Sequence, residues 1–493
     1  MNLDNHTNVK NYVAAKRNMS LLMDYYELTM ACGYFDYGMQ EKRGVFDMFF
    51  RQVPDGGGFA ICAGLEHFIE CIEDFHFNDD DIKYLEDKNV FSKEFLEYLR
   101  NFKFDCNIWA VKEGTPIFPS EPIIIVEGPI IQAQLIETLL LLTINHQSLI
   151  ATKANRIVRA ANGRSVMEFG ARRAQGYDAS VLGARATYIA GCSSTSCVLA
   201  DRFFDIPISG TMSHSWVQLF DDEYTAFEKY TERYPDNCVL LVDTYSVVKS
   251  GIPNAIKVFD NVLKPLGKRP IGIRIDSGDL AYLSKKVRKM LDAAGYEDVK
   301  ICASNSLDEY IVRDLLLQDA KVDFFGIGEN MITSKNTPVF GGVYKLAAVK
   351  NSNGEYIPKI KLSENLSKTT IPCFKKVYRI FNNETGKAMA DYITLYDEKI
   401  DISNGITLFD PVETWKQRTF TNVTAKPLLT QIYKDGTKIY NCPDLREIRA
   451  YCKEQVETLW DEVKRFENPH KYYVDLSEKL WDTRKNLLES IKK

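Results

Sequence analysis

Between residues 165 and 327, short β-like runs alternate with helical segments at 165–170, 206–210, 239–242, 270–275, 299–303 and 322–327. Such alternation predicts parallel strands joined by right-handed helical crossovers, an α/β arrangement. Each run also ends in polar residues: Arg172-Arg173, Thr211 to His214, Asp243-Thr244, Asp276 to Asp279, Ser304-Asn305, and Gly328 to Asn330. In barrels and open parallel sheets, ligands sit at the carboxyl ends of the strands. One shared site is therefore predicted there.

The flanks differ in character. The first stretch mixes a helical segment at 19–34 with apolar or alternating runs at 44–50, 107–111 and 122–126, so residues 1–131 read as an N-terminal α+β domain. Its bend Asp55-Gly56-Gly57-Gly58 reads as a tight loop. A long helical pattern, broken once, runs from Gln132 to about Asn162 and opens a catalytic α/β region over 132–345. Residues 346–493 form a C-terminal extension with β-like pieces at 347–349 and 375–382 and a helical tail over 444–493.

Bulk properties exclude several functions. The net charge of −5 provides no overall positive field for nucleic acid or an anionic membrane. The greasiest stretch, 135–150, is interrupted by Glu137, Thr143, Asn145, His146 and Gln147, and no membrane span is expected. The opening MNLDNHTNVKNYVAAKRN lacks the apolar core of a secretory signal. Eleven cysteines without a CxxC pair suit reduced thiols in a cytoplasmic protein. With six histidines and no HxxxH or HExxH pair, no protein metal site is expected.

Five strand ends carry candidate residues. Gly210-Thr211-Met212-Ser213-His214-Ser215 clusters hydroxyls around an imidazole that is suited to act as a general base, a metal ligand or a nucleophile toward phosphorus. In Arg274-Ile275-Asp276-Ser277-Gly278-Asp279, strand alternation puts Arg274 and Asp276 on one side. They read either as a structural salt bridge or as an arginine fork for a carboxylate with an acid beside it. Phe169-Gly170-Ala171-Arg172-Arg173 places an aromatic face beside two guanidiniums, either a setting for a planar anion or a solvated, salt-bridged face. Ser304-Asn305-Ser306 and Gly326-Ile327-Gly328 offer donors for phosphate or ribose, or are ordinary turns.

Taken with Asp24-Tyr25-Tyr26-Glu27-Leu28-Thr29-Met30, Val242-Asp243-Thr244-Tyr245 and Gly341-Gly342-Val343-Tyr344-Lys345-Leu346, these motifs keep a joint order and spacing over nearly the whole chain. In that order the chain resembles the nicotinate phosphoribosyltransferase family. The resemblance implies a type II phosphoribosyltransferase fold, an irregular α/β barrel, working as a homodimer. It implies synthesis of nicotinate mononucleotide and pyrophosphate from nicotinate and phosphoribosyl pyrophosphate in NAD biosynthesis, with ATP hydrolysed alongside and Mg²⁺ accompanying the phosphates.

Carried over by motif, His214 is implied as the residue phosphorylated by ATP, with Asp276 beside the ribose or the ring. Phe169 and Tyr26 would sandwich the pyridine ring, Tyr26 arriving from the partner subunit. Arg274, Thr211 and Arg172 would hold the nicotinate carboxylate. Ser215, Ser304, Asn305, Gly326, Gly328 and Thr333 would receive phosphate and ribose. Gly191-Cys192-Ser193-Ser194-Thr195-Ser196 has serine where many relatives carry an aspartate, so no catalytic carboxylate is carried over there, and Tyr25 stands where leucine is usual. The alternatives are a nicotinamide-using phosphoribosyltransferase and a non-catalytic nucleotide-binding protein on the same fold.

Overall fold

A computed structural model describes residues 18–362 and 369–491 of the chain. The expectation that the N-terminus has no secretory leader falls on residues 1–17 and lies outside the described residues. Two compact units are present: one runs through Thr152 and resumes at Val339, and the other is Lys153–Pro338.

The second unit is built on six parallel strands, in the order Ser194–Thr195, Ser165–Glu168, Phe324–Ile327, Lys300–Ser304, Gly272–Ile275 and Val239–Leu241. Five of these are predicted by the sequence. The run at 206–210 is reduced to a single bridge, Ile208 beside Thr195. Pro207 has no N–H to give a ladder; its carbonyl accepts from Thr195 N at 3.0 Å, Ser209 N donates to Thr195 O at 2.9 Å, and pairing ends there. Ser194–Thr195, inside a serine-rich stretch without β-like composition, is the strand the sequence hides.

Helices cover this sheet because their apolar stripes need burial. The Leu280–Ala293 helix starts where the Asp279 carboxylate accepts from Tyr282 N at 2.9 Å, and it buries Ala281, Ser284, Val287 and Leu291. Val287 and Leu291 join Ile273, Ile275, Val299 and Ile301 in one core. Each large aliphatic side chain fully buried there contributes roughly 1.5–3 kcal/mol. The Glu309–Leu317 helix is capped in the same way by Asp308, which accepts from Tyr310 N and Ile311 N.

The first unit centres on a seven-stranded antiparallel sheet: Tyr356–Pro358, Val343–Lys350, Arg43–Phe49, Ile124–Pro129, Asn107–Val111, Leu429–Lys434 and Thr437–Lys438. It does not follow chain order, unlike the three consecutive regions expected at 1–131, 132–345 and 346–493. The cause is the Arg43–Phe49 strand. It is buried at every position after Arg43, so it needs a partner on each edge, and one of them comes from residues 343–350.

Two further expectations concern helices. The pattern starting at Gln132 is indeed broken once, into Ile130–Leu135 and Glu137–Ala160. The expected helical tail is not continuous. Leu445–Glu457 is a helix with a capping box of Asp444 and Glu447, and Val474–Leu476 is then a strand beside Ala388–Leu395 before Glu478–Ile491 is helical again. Asn468, at φ 45°, and Pro469 interrupt the helical pattern between them. No disulfide links any of the eleven cysteines, and among the described residues no helix is long and apolar enough to cross a membrane.

Candidate active site

Alternation along the Gly272–Ile275 strand sends Arg274 and, just beyond the strand, Asp276 to the same side. There the Arg274 guanidinium has three partners. Nε donates to Ser304 Oγ at 2.8 Å, Nη1 to Thr211 Oγ1 at 3.0 Å, and Nη2 to Asp276 Oδ1 at 2.7 Å. Its Cζ lies 5.6 Å from the centroid of the Phe169 ring. A guanidinium has five N–H groups, so each terminal nitrogen keeps one donor beyond these bonds. The side chain is 14% exposed, enough for a ligand to reach it.

Asp276 is held on several sides. Its Oδ1 also accepts from Ser304 Oγ, its backbone N donates to Asp243 Oδ2 at 3.0 Å, and Ser277 Oγ donates to the same Asp243 oxygen at 2.5 Å. Gly278, at φ +80°, makes the left-handed step that brings Asp279 onto the cap of the next helix. The second carboxylate oxygen, Asp276 Oδ2, faces His214 Nε2 at 4.0 Å.

His214 opens the short His214–Leu219 helix, and its Nδ1 lies 3.1 Å from Thr244 Oγ1. Thr211, His214, Arg274, Asp276 and Ser304, named from three different stretches of sequence, thus form one connected cluster. Ser215 is exposed and bonds Ser213, Oγ to Oγ at 2.6 Å.

Phe169 follows the Ser165–Glu168 strand, and its N–H donates to Ile327 O at 2.8 Å. The ring lies over Gly326, where an added Cβ would stand 2.6 Å from two ring carbons. An added Cβ at Gly328 would stand 2.8 Å from Phe169 O. Glycine at both positions is therefore required by the seating of Phe169. Below it, the Glu168 carboxylate is fully buried and accepts from Gly170 N and, at 2.6 Å, from Thr195 Oγ1. Burial pushes its pKa up, against those two bonds.

Asn305 (φ 91°) and Ser306 (φ 46°) both take left-handed backbone at the end of the Lys300–Ser304 strand. Asn330 Nδ2 secures this turn by donating to Ser306 O at 2.7 Å and to Leu307 O at 3.3 Å. The Thr333 hydroxyl donates to Glu329 O at 2.7 Å, one turn back in its own helix. Arg172 is exposed and joins none of these bonds, while Arg173 approaches Glu329 at 3.8 Å. Tyr26 belongs to the other unit, where it is 44% exposed.

Asp243, Thr244, Glu168 and Asn330 are the supporting residues that the site list from sequence omits. Asp243-Thr244 and Asn330 carried a signal, a polar pair and an amide at strand ends. Glu168 carried another, a lone carboxylate ending an apolar run.

A parallel sheet that gathers an arginine, a carboxylate and an imidazole at its strand ends defines an α/β enzyme whose reacting groups ride on strand-end loops. Family models match over residues 21–145 (nicotinate phosphoribosyltransferase N-terminal domain), 164–391 (nicotinate phosphoribosyltransferase family) and 374–484 (nicotinate phosphoribosyltransferase C-terminal domain). The nicotinate phosphoribosyltransferase of Bacillus subtilis (strain 168) is 45% identical over 477 residues, covering 96% of each chain. This chain belongs to the nicotinate phosphoribosyltransferase family. The crystal structure of human nicotinic acid phosphoribosyltransferase has a TM-score of 0.83 at 30% identity, covering 96% of this chain and 100% of that one. Nicotinate-nucleotide pyrophosphorylase from Pyrococcus furiosus shares the fold, with a TM-score of 0.67 at 24% identity over 93% of this chain and 98% of that one.

Proposed function

We propose that this chain joins nicotinate to phosphoribosyl pyrophosphate, giving nicotinate mononucleotide and pyrophosphate for NAD biosynthesis, and couples this to ATP through phosphorylation of His214. The observation that carries the reading is the Arg274 guanidinium, with a donor left on each terminal nitrogen, beside the Phe169 ring. A planar carboxylate takes such a fork, while the neutral amide of nicotinamide lacks the charge. Arg172 would supplement that charge. Tyr26, delivered by a second copy in a homodimer, would cover the other ring face.

In the transfer, the pyridine nitrogen forms a bond to the anomeric carbon as the bond from that carbon to the pyrophosphate oxygen breaks. Positioning and stabilisation of the leaving charge dominate such a step. Ser215, Ser304, Asn305, Gly326, Gly328 and Thr333 would line the phosphate and ribose end. Mg²⁺ carried by the phosphates would neutralise the departing pyrophosphate. Asp243, whose Oδ1 is buried without a hydrogen-bond partner, and Asp276 are the carboxylates suited to hold it. In the coupled step a ring nitrogen of His214 bonds to the γ-phosphorus of ATP as the bond to the ADP oxygen breaks, and water later releases phosphate. A cytoplasmic location suits both phosphorylated substrates.

Purified protein turning over nicotinate in preference to nicotinamide, with ATP consumed, is the expected result. Equal rates with the two bases would overturn the choice of substrate. His214→Ala should abolish ATP hydrolysis and acid-labile phosphate incorporation while retaining some ATP-independent synthesis. Continued phosphate uptake by that variant would remove His214 from the coupling step.

A further inference from the structure

We infer that Thr244 is a positioning residue for His214, a role that rests on the reading of His214 as the phosphate acceptor. The carrying observation is the 3.1 Å contact between Thr244 Oγ1 and His214 Nδ1, on the opposite edge of the ring from Asp276 Oδ2, which faces Nε2 at 4.0 Å. The hydroxyl holds one nitrogen of the imidazole, and the other stands beyond hydrogen-bond distance of the carboxylate.

Thr244 is well placed to do this. It follows the Val239–Leu241 strand, and Val242 N donates to Arg274 O at 3.1 Å, so the segment is fixed to the neighbouring strand. Asp243, its chain neighbour, accepts from Asp276 N at 3.0 Å and from Ser277 Oγ at 2.5 Å. A single dipeptide therefore sets both the imidazole and the turn that carries the carboxylate facing it. Thr244 reaches the ring directly, and Asp243 holds the turn.

The need for such a grip follows from exposure and chemistry. The His214 side chain is 41% exposed and begins a helix of six residues, so packing alone leaves it several rotamers. A neutral imidazole attacks phosphorus only through its unprotonated nitrogen, and the partner on one nitrogen fixes which tautomer is present. With its hydroxyl accepting from Nδ1–H, Thr244 leaves the lone pair on Nε2, the nitrogen it does not touch and the one left to attack phosphorus. The one contact sets both the tautomer and the ring orientation.

The test compares Thr244→Val, which keeps the shape and removes the hydroxyl, with Thr244→Ser, which keeps the hydroxyl. Full-length protein is assayed for phosphate incorporated from γ-labelled ATP, for ATP consumed per nicotinate mononucleotide formed, and for the ring ¹⁵N shifts of His214. Thr244→Val should lower phosphate incorporation about five- to ten-fold, the scale of one hydrogen bond. ATP-independent synthesis should fall less, the two ring ¹⁵N shifts should move toward each other, and Thr244→Ser should restore all three readouts. Wild-type incorporation together with unchanged shifts in a folded Thr244→Val protein overturns the inference. If His214→Ala still takes up phosphate, the coupling reading fails separately. The ¹⁵N shifts, which require no phosphate transfer, still decide whether Thr244 holds the ring.

Discussion

Arg274 and Asp276 leave the same side of one strand end and meet beyond it, Nη2 to Oδ1 at 2.7 Å, while Ser304 bridges both. Sequence alone offers two readings of this pair, a structural ion pair or a carboxylate fork, and the geometry makes them compatible. The ion pair occupies one N–H of Nη2 and aims the guanidinium. Each terminal nitrogen keeps a donor for a ligand.

Arg274→Ala should therefore raise the apparent KM for nicotinate by about thirty-fold or more, the lower end of what removing one partner of a buried charge pair costs. Arg274→Lys should rescue little, because an ammonium restores charge without the planar fork. Steady-state kinetics with nicotinate varied at saturating phosphoribosyl pyrophosphate measures both. An unchanged nicotinate response removes Arg274 from the carboxylate site.

Gly326→Ala tests the seat of the aromatic ring. The new methyl would stand 2.6 Å from Phe169 ring carbons, so the ring must move. Overpacking of this kind costs about 1–3 kcal/mol, readable as a lower denaturant midpoint. The nicotinate KM should rise with it, since the displaced ring lies against Arg274. Normal stability and kinetics would mean that the ring yields without consequence.

Much of the catalytic unit is legible in the sequence because parallel strands are short, apolar and followed by their functional residues. The 270–275 run, ending Arg274-Ile275-Asp276, announces both a strand and what it delivers. The legible part stops where pairing is non-local. Nothing near Arg43–Phe49 signals that its second partner lies three hundred residues on, at Val343–Lys350. Support within the site is hidden for a related reason. Thr244 and Asn330 are legible as polar strand-end residues, but their partners, His214 Nδ1 and Ser306 O, appear only in the fold.

Asn330→Ala should loosen the 305–306 turn by removing the donor to Ser306 O and Leu307 O, leaving two left-handed residues without their clamp. The expected outcome is a several-fold higher KM for phosphoribosyl pyrophosphate with little change for nicotinate. Initial-rate measurements varying each substrate in turn check the split. A change of equal size in both constants would point to a general loss of structure.

Glu27 supplies a prediction about pH in the first unit. It lies in the Tyr25–Asp36 helix, fully buried, and its Oε1 accepts from Thr138 N at 3.1 Å and Thr138 Oγ1 at 2.5 Å. Its Oε2 is buried with no hydrogen-bond partner. Burial, with the Glu137 charge adding to it, pushes its pKa from the ordinary 4.5 up to about 7 despite the Thr138 bonds. Between those two values the folded chain keeps a proton that the unfolded chain has released, so this group makes stability fall as pH rises. The loss is complete above the folded value and is on the order of 3 kcal/mol. Glu27→Gln keeps an acceptor for Thr138 and cannot ionise. Its thermal midpoint should therefore gain on the wild type between pH 5 and pH 8, with most of the gain in place by pH 7. Parallel melting curves at matched ionic strength provide the measurement, and a difference that is flat across this range, or that favours the wild type at pH 8, would show that the Glu27 carboxyl is ionised in the folded chain.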